Sequence, residues 1–289
     1  MKVAILYICT GRYSIFWNSF YSSSEEYFLN EAIKHYFVFT DEPGFLASNI
    51  NNVTFIKQVK LGWPMDSLGR FGMFNSIRNR LLAYDYIYFF NANLNFLKKV
   101  GEEILPTPQE CGLTAVLHPY CYLEKDNNKF FYDRNKRSRA FVPFGKGENY
   151  YQGCLNGGTR DAYLKLVEVL EENVQQDLKR NVIARWHDES HLNHYLLKKK
   201  IRQLLPVYAY PEGIDIGVSE EPIILSLDKN KFGGHEFLRE EVSHIENRAS
   251  IEKLHEYRMN SLKKIINRFK SYIKKAAFLK FSFLGIKCL

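Results

Sequence analysis

Two short stretches hold side chains whose types and spacing suit work on a polar ligand. The first closes an apolar aromatic run, Tyr84-Asp-Tyr-Ile-Tyr-Phe-Phe-Asn91-Ala-Asn93-Leu-Asn95. Residues 86–90 read as a strand buried on both faces, the kind found in the middle of an α/β sheet. Ligands of open α/β sheets bind just beyond the carboxyl ends of such strands. Asn91 and Asn93 fall at that edge and point the same way while the backbone stays extended. Neutral amide oxygens are poor sole ligands for Mg²⁺ or Mn²⁺, which favour carboxylate and water. A polar turn closing a core strand is the plainer account of the pair taken alone. The second stretch is Arg185-Trp-His-Asp-Glu-Ser190, an aromatic, an imidazole and two carboxylates just ahead of a helical pattern. A helix N-cap accounts for Asp188. It gives no reason for Trp186 and Glu189 to stand beside it.

Other candidates are more scattered. Arg70 sits near the start of a helical pattern, where the dipole least favours a cation. It reads either as an exposed arginine or as a guanidinium reaching a diphosphate or a carboxylate. His118 ends an apolar run beside aromatics and reads as a sugar ligand or as a satisfied structural histidine. Gly157 and Gly158 permit a close backbone approach to a ligand or a tight turn. Lys229 and Lys231 flank a Gly-rich turn and offer cationic charge.

The elements that must position these groups alternate in an α/β pattern. Strands are expected at Val3–Cys9, Tyr36–Thr40, Val53–Val59 and Leu113–Leu117, besides the central run. Val3–Cys9 breaks at Thr10-Gly11-Arg12-Tyr13, a polar loop of the sort that follows a first nucleotide-binding strand. Helices are expected over Ser24–Lys34, with Ser24 as N-cap, over Asp66–Leu82, Asp161–Asn173 and His191–Lys200. The Lys125–Lys146 stretch lacks periodicity and reads as a long mobile loop.

With 289 residues, the chain can bury one large core plus an appendage. Its N-terminus reads as a first strand rather than a signal segment, and no run reaches the roughly 20 apolar residues of a membrane span. Cys9, Cys111, Cys121, Cys154 and Cys288 are odd in number and lack C-x-x-C spacing, as expected of reduced cytoplasmic thiols. The net charge of +8 has one source: residues 260–289 hold seven lysines, one arginine and no acid. The rest is formally neutral, which argues against a nucleic-acid-binding body. Leu262, Ile265, Ile266, Phe269, Tyr272, Ile273 and Ala276 recur at helical spacing among those lysines. They make a basic amphipathic helix, which suits an anionic membrane surface and reads equally as a solvated or self-associating helix. The expected division is a body at 1–240 and a helical tail at 241–289.

Taken together, the blocks Tyr-Ile-Cys-Thr-Gly-Arg-Tyr13, Trp63 through Arg70, Phe89-Phe-Asn-Ala-Asn93, His118-Pro, Tyr150-Tyr with Gly157-Gly158, and Trp186-His-Asp-Glu-Ser190 resemble glycosyltransferase family 6. They occur in the family's order over roughly residues 3–240. That is the family of the blood-group A and B transferases and the α1,3-galactosyltransferases. Asn-Ala-Asn in place of the Asp-X-Asp that holds a metal in many nucleotide-sugar transferases, Tyr210-Pro-Glu-Gly213 and Gly233-Gly-His-Glu resemble its bacterial, metal-independent branch. The resemblance implies a GT-A fold, an α/β domain around a mixed, mostly parallel sheet. It implies retaining transfer of galactose or N-acetylgalactosamine from a UDP-sugar to the 3-hydroxyl of a plain or fucosylated galactoside, with no cofactor and no divalent metal. By position, Ile8, Thr10 and Tyr13 would line the uridine pocket, Arg70 would contact the donor, and Asn91 and Asn93 would face the diphosphate and ribose. Gln152, Gly153 and Cys154 match the donor-sugar selector, Asp188 would bond the donor sugar, and Lys231 would meet the leaving diphosphate. His118 and Trp186 would hold the acceptor, and Glu189 would face the anomeric carbon and the acceptor. Tyr120 and Phe131 depart from the family, which often has Gly and a small polar residue there, and Cys154 replaces Gly or Ala. A non-catalytic nucleotide-sugar or glycan-binding module is the rival reading. The expected location is the cytoplasm, with attachment to the inner membrane's cytoplasmic face through the tail.

Overall fold

In chain order the strands are β1 (Lys2–Ile8), β2 (Ile33–Thr40), β3 (Val53–Lys57), β4 (Tyr86–Asn91), β5 (Leu94–Phe96), β6 (Leu113–Leu117), β7 (Tyr151–Thr159), β8 (Arg202–Leu204), β9 (Tyr210–Pro211) and β10 (Ile224–Ser226). The helices are α1 (Trp17–Tyr27), α2 (Met65–Leu68), α3 (Arg70–Ser76), α4 (Arg78–Leu81), α5 (Pro119–Tyr122), α6 (Arg160–Lys179), α7 (His187–Leu196) and α8 (Gly234–Leu238). This computed structural model describes residues 1–43 and 50–240. They divide into a unit spanning Met1–Lys229 and a second that begins at Asn230 and includes α8. The tail helix expected beyond residue 240 lies outside the described residues. Among the described residues no helix is long and apolar enough to cross a membrane.

A seven-stranded sheet runs in the order β3-β2-β1-β4-β7-β6-β8, and β5, β10 and β9 form a smaller one. The large sheet is the mixed, mostly parallel sheet of the expected fold class: only β7 runs antiparallel to its neighbours. Ile87 and Phe89 of β4 join the core built with α3 and α6, including Phe71, Phe74, Leu164 and Val167. Tyr88 and Phe90 face Phe28 and Phe96 on the other side. Burial on both faces makes β4 the centre of the sheet, as its unbroken apolar run requires.

Several local expectations need correction. The first helix covers Trp17–Tyr27, not Ser24–Lys34. Ser24 is buried within it and receives the Tyr36 hydroxyl, so it is no N-cap. Phe28 leaves the helix extended because its ring packs on the central strand and its backbone bridges Val100. Lys34 lies on β2 and reaches back to the carbonyls of Ser24, Glu25 and Phe28, satisfying groups that the helix end leaves unpaired. The Asp66–Leu82 pattern is broken into α2, α3 and α4, with non-helical geometry at Ile77 and a turn at Gly69. A Cβ at Gly69 would lie 2.9 Å from the Met65 carbonyl. The apolar period survives the breaks, so Leu68, Phe71, Phe74, Ile77 and Leu81 are all buried.

The stretch read as a loose loop is packed. Phe130, Tyr132 and Val142 form a second small core with Cys121 and Tyr150. Its backbone is pinned by Asp177, which accepts from the Ser138 hydroxyl and the Arg139 N–H. Charge and missing periodicity hid these anchors, because they come from a distant helix.

Gly157 and Gly158 neither approach a ligand nor make a turn. They lie inside β7, paired with Tyr88 and Ile87 on one side and Thr114 and Leu113 on the other. A Cβ at Gly157 would meet the Tyr88 ring at 2.2 Å and the Ile87 carbonyl at 2.6 Å. Gly157→Ala is therefore expected to cost about 3 kcal/mol, read as a roughly 6–12 °C fall in thermal midpoint. A midpoint within 2 °C of the parent, on the order of an ordinary surface change, would contradict this packing.

Candidate active site

Chain direction gathers the candidates at one edge of the large sheet. The carboxyl ends of β1, β4 and β6 bring Ile8, Asn91 and His118 there. Because β7 runs the other way, its start is level with them and adds Gln152, Gly153 and Cys154. Thr10 is buried beyond β1. Gly11 turns the chain with φ +59° and donates its N–H to Asp41, which starts the short 3-10 turn carrying Tyr13. Lys229 lies with Nζ 5.5 Å from the Tyr13 ring centroid and contributes, with Arg70, to the field on the Cys154 thiol.

The first turn of α7 meets the start of β7 at Glu189. Its two carboxylate oxygens accept separately, one from the Tyr150 hydroxyl at 2.9 Å and one from the Gly153 N–H at 2.7 Å. Gly153 permits that approach: a Cβ there would sit 3.2 Å from both Asp188 Oδ2 and Glu189 Cβ. Asn193, one turn along α7, donates to the Glu189 carbonyl and pairs with both the N–H and the carbonyl of Tyr151. A side-chain amide thus takes the role of a neighbouring strand and locks the helix to the sheet. Burial raises the Glu189 carboxyl to about 7. The Gly153 N–H, the Tyr150 hydroxyl and Arg70 oppose that rise, and the Asp188 charge adds to it.

Asp188 does not cap the helix. The N-cap position is Trp186, and the Trp186 N–H is satisfied by the Ser190 hydroxyl. Asp188 Oδ2 instead pairs with the Arg70 guanidinium at 3.0 Å, both side chains being 9 % exposed. The same Arg70 nitrogen donates to the Gly153 carbonyl, and the guanidinium lies 4.4 Å over the Phe89 ring. Arg70 thus reaches a carboxylate, one of its expected partners, and ties α3, β4, β7 and α7 together. Burial outweighs the arginine and keeps the Asp188 carboxyl above its ordinary range.

Tyr150 links Glu189 to His118, which packs edge-on against Phe131 and Tyr150. Burial lowers its pKa to about 4, so it is neutral at pH 7. Nδ1 accepts the Tyr120 N–H at 3.3 Å, which leaves Nε2–H as the donor. Trp186 is 43 % exposed, with its ring 5.9 Å from Phe131 and the Arg185 guanidinium 5.6 Å away.

Arg70, Gly153, Asp188, Glu189, His118 and Trp186 therefore form one connected group. Asn93 does something else as well: its amide donates to the Ser226 hydroxyl and the Leu227 carbonyl, fastening the small sheet. Lys231 belongs to the second unit. Two buried polar atoms at this edge, Nε of Arg70 and Oε1 of the neighbouring Gln152, have no hydrogen-bond partner, capacity that a polar ligand or water would use. Tyr150 and Asn193, which hold Glu189 and its helix in place, were not among the site residues read from the sequence. Nothing in local spacing announces contacts across 39 and 42 residues. Among the described residues no three His, Cys, Asp or Glu side chains gather as a metal-binding group. Asn91 and Asn93 offer a divalent ion only neutral amide oxygens, a poor fit as its sole protein ligands; it is the Asn93 NH₂, not its oxygen, that is spent on Ser226 and Leu227.

The model of glycosyltransferase family 6 matches residues 1–229. The chain is 35 % identical over 231 residues to the O-antigen biosynthesis glycosyltransferase WbnI of Escherichia coli, covering 80 % of this chain and 96 % of that protein. Histo-blood group ABO system transferase 2 of Rattus norvegicus is 27 % identical, over 73 % of this chain and 64 % of its own. Globoside alpha-1,3-N-acetylgalactosaminyltransferase 1 of Gallus gallus is 26 % identical, over 73 % of this chain and 62 % of its own. The chain thus spans less than two thirds of these two vertebrate relatives. The matched range contains the whole connected group at the sheet edge, and the chain belongs to glycosyltransferase family 6, with its GT-A type of α/β fold.

Proposed function

We propose that the protein is a retaining hexosyltransferase that moves N-acetylgalactosamine or galactose from a UDP-sugar to the 3-hydroxyl of a galactoside, in α linkage and without a divalent metal. Family membership supplies the coarser part: a glycosyltransferase with a nucleotide-sugar donor and a glycan acceptor. The observation that carries the finer reading is the Glu189 carboxylate, fixed from both oxygens at the meeting point of β7 and α7. It lies between a donor side marked by Arg70, Cys154 and Lys229 and an acceptor side marked by His118 and Trp186.

Cleavage of the anomeric C–O bond leaves positive charge on the sugar and negative charge on UDP. Glu189 offsets the first, either by bonding the anomeric carbon or by stabilising an oxocarbenium ion while the acceptor attacks from the leaving-group side. In the first route the acceptor oxygen then displaces Glu189 from the anomeric carbon, and in both routes the acceptor hydroxyl's proton passes to the departing diphosphate. Lys229 is a cation for the diphosphate, and the His118 Nε2–H donates to an acceptor hydroxyl. Gln152 and Cys154 select between the donor sugars. Metal independence is supported by the amide pair and by the lysine beside Tyr13.

Incubation with each UDP-sugar and a galactoside in excess EDTA tests the reading, with product linkage read by NMR. An α-linked product at the 3-hydroxyl is expected, at a rate within about twofold of that with added Mn²⁺, since a catalytic ion supplies several kcal/mol. Loss of turnover in chelator, restored by manganese, would overturn the metal-free account; a β-linked product would overturn retention.

A further inference from the structure

The packed loop ahead of β7 and the turn ahead of α7 meet over the end of α6, and they bring cations together there. Arg137, next to Lys136, donates from its guanidinium to the Arg180 carbonyl at 3.1 Å. The buried Asp177 carboxylate collects the Ser138 hydroxyl, the Arg139 N–H and the Arg180 guanidinium. Asp133, also buried, takes the Arg185 N–H at 2.8 Å and so fastens the turn before α7 to the same loop. Lys136, Arg137, Arg139, Arg180 and Arg185 are all exposed on this anchored backbone. Arg180 does the ordinary work of a helix end, pairing with Asp177 and bonding the Gln176 carbonyl. The other four have no carboxylate within ion-pair distance among the described residues. Both acids beneath them are spent on backbone N–H groups.

Large apolar side chains stand among these cations. Phe144 is 68 % exposed, with the Arg134 guanidinium 4.4 Å from its ring. Ile183, between Arg180 and Arg185 in the chain, is 51 % exposed, and Trp186 borders Arg185. Folding gains little from apolar groups held in water beside unpaired charge, and such a patch marks an interaction surface. A bilayer interface uses both kinds of side chain. Trp and Phe settle where the medium changes from wet to apolar. Lys and Arg lay their stems along apolar surface and keep their charged heads outside it, and anionic head groups attract them within a Debye length. A soluble polyanion would use the cations and leave Phe144 and Ile183 in water.

We propose that this face of the Met1–Lys229 unit docks on a bilayer containing anionic phospholipid. Lys136, Arg137, Arg139 and Arg185 meet the head groups, and Phe144 and Ile183 enter the boundary of the acyl region, with Trp186 at the rim. The surface belongs to the folded body and is additional to the basic tail read in the sequence. It stands independently of the reaction proposed above.

The test sediments the full chain with phosphatidylcholine vesicles, with and without phosphatidylglycerol. Lys136→Ala/Arg139→Ala is compared with Lys98→Ala/Lys99→Ala, which removes two exposed cations beside β5. β5 packs on the side of the large sheet opposite α6. The tail is common to all the proteins, so it cancels in the comparison. Replacing Arg139 by alanine keeps the backbone N–H that Asp177 holds, and an unchanged thermal midpoint verifies the fold. The parent is expected to bind only the anionic vesicles, more weakly as salt rises. Affinity should fall about fivefold per cation, hence about twenty-fivefold in the first double variant, and less than about threefold in the second. Phe144→Ser should weaken binding several-fold and leave its salt dependence alone. Equal losses in the two double variants would assign binding to net charge and overturn the docking face. Unaltered binding in Lys136→Ala/Arg139→Ala, or no preference for phosphatidylglycerol, would overturn it as well. If Phe144→Ser bound like the parent while polyuridylate bound through the same cations, the face would serve a soluble polyanion and the lipid assignment would fail.

Discussion

Glu189→Gln is expected to lower the transfer rate on the order of 10³-fold or more while UDP still binds. Glutamine fits the site without disturbing it. Its oxygen can accept from the Gly153 N–H, and its NH₂ can face Tyr150, whose hydroxyl rotates to accept instead of donate. What is lost is the negative charge that answers the positive charge on the anomeric carbon. The nucleotide contacts proposed at Thr10, Tyr13 and Lys229 lie in the turn after β1 and beyond β10, so calorimetric affinity for UDP should stay within about threefold, under 1 kcal/mol. A protein that only bound nucleotide sugars would lose nothing measurable in either assay. Retained turnover would remove Glu189 from the reaction.

The same carboxylate sets a pH dependence with a fixed sign. Burial lifts its pKa from an ordinary 4.5 to about 7, and the reaction needs the charged form. The free-enzyme kcat/KM should therefore rise with pH through an acid limb near 7 and level off above it. Stability runs the opposite way. A carboxyl whose folded pKa is raised favours the fold when protonated, and that contribution is lost as pH climbs from about 4.5 to about 7. At pH 8 Glu189→Gln should then be at least as stable as the parent, the trade expected where a charge is held for chemistry. A variant markedly less stable at pH 8 would mean that the charge had been helping to hold the structure.

How much of this was legible in the chain depends on the range of each interaction. The central strand could be read because burial on both faces writes an uninterrupted apolar run at Tyr86–Phe90, and the sheet edge followed from where that run stops. Trp186 to Ser190 was conspicuous because four chemically demanding residues stand together. Ser24 and Lys34 misled because both are good helix residues locally. Their actual work, accepting from Tyr36 and closing the end of α1 from another strand, appears only once β2 is laid beside the helix. Gly157 looked like a ligand contact for the same reason: the tyrosine that forbids a side chain there is 69 residues earlier, across a strand pair. A helix cap was the local account of Asp188, because the cation that actually pairs with it, Arg70, stands 118 residues earlier.

That cation carries the second large effect. Arg70→Met should destabilise the protein by roughly 3–5 kcal/mol, because it strands a carboxylate in a site too buried to hydrate it. Methionine fills the space over Phe89, so little of this cost comes from lost packing. Adding Asp188→Asn to Arg70→Met removes the stranded charge and should recover on the order of 1–3 kcal/mol, a coupling typical of partners in one network. Denaturant midpoints of the four proteins would measure it. The two single variants also separate by electrostatic sign. Arg70 lowers the Glu189 pKa and Asp188 raises it, so the acid limb of kcat/KM should move up in Arg70→Met and down in Asp188→Asn. Opposite shifts cannot arise from general loosening of the site, which would move both limbs the same way. If Arg70→Met matched the parent in stability and its limb stayed in place, the 3.0 Å pair would not exist in solution. The carboxylate beside Glu189 would then have to be neutralised by a proton instead of by arginine.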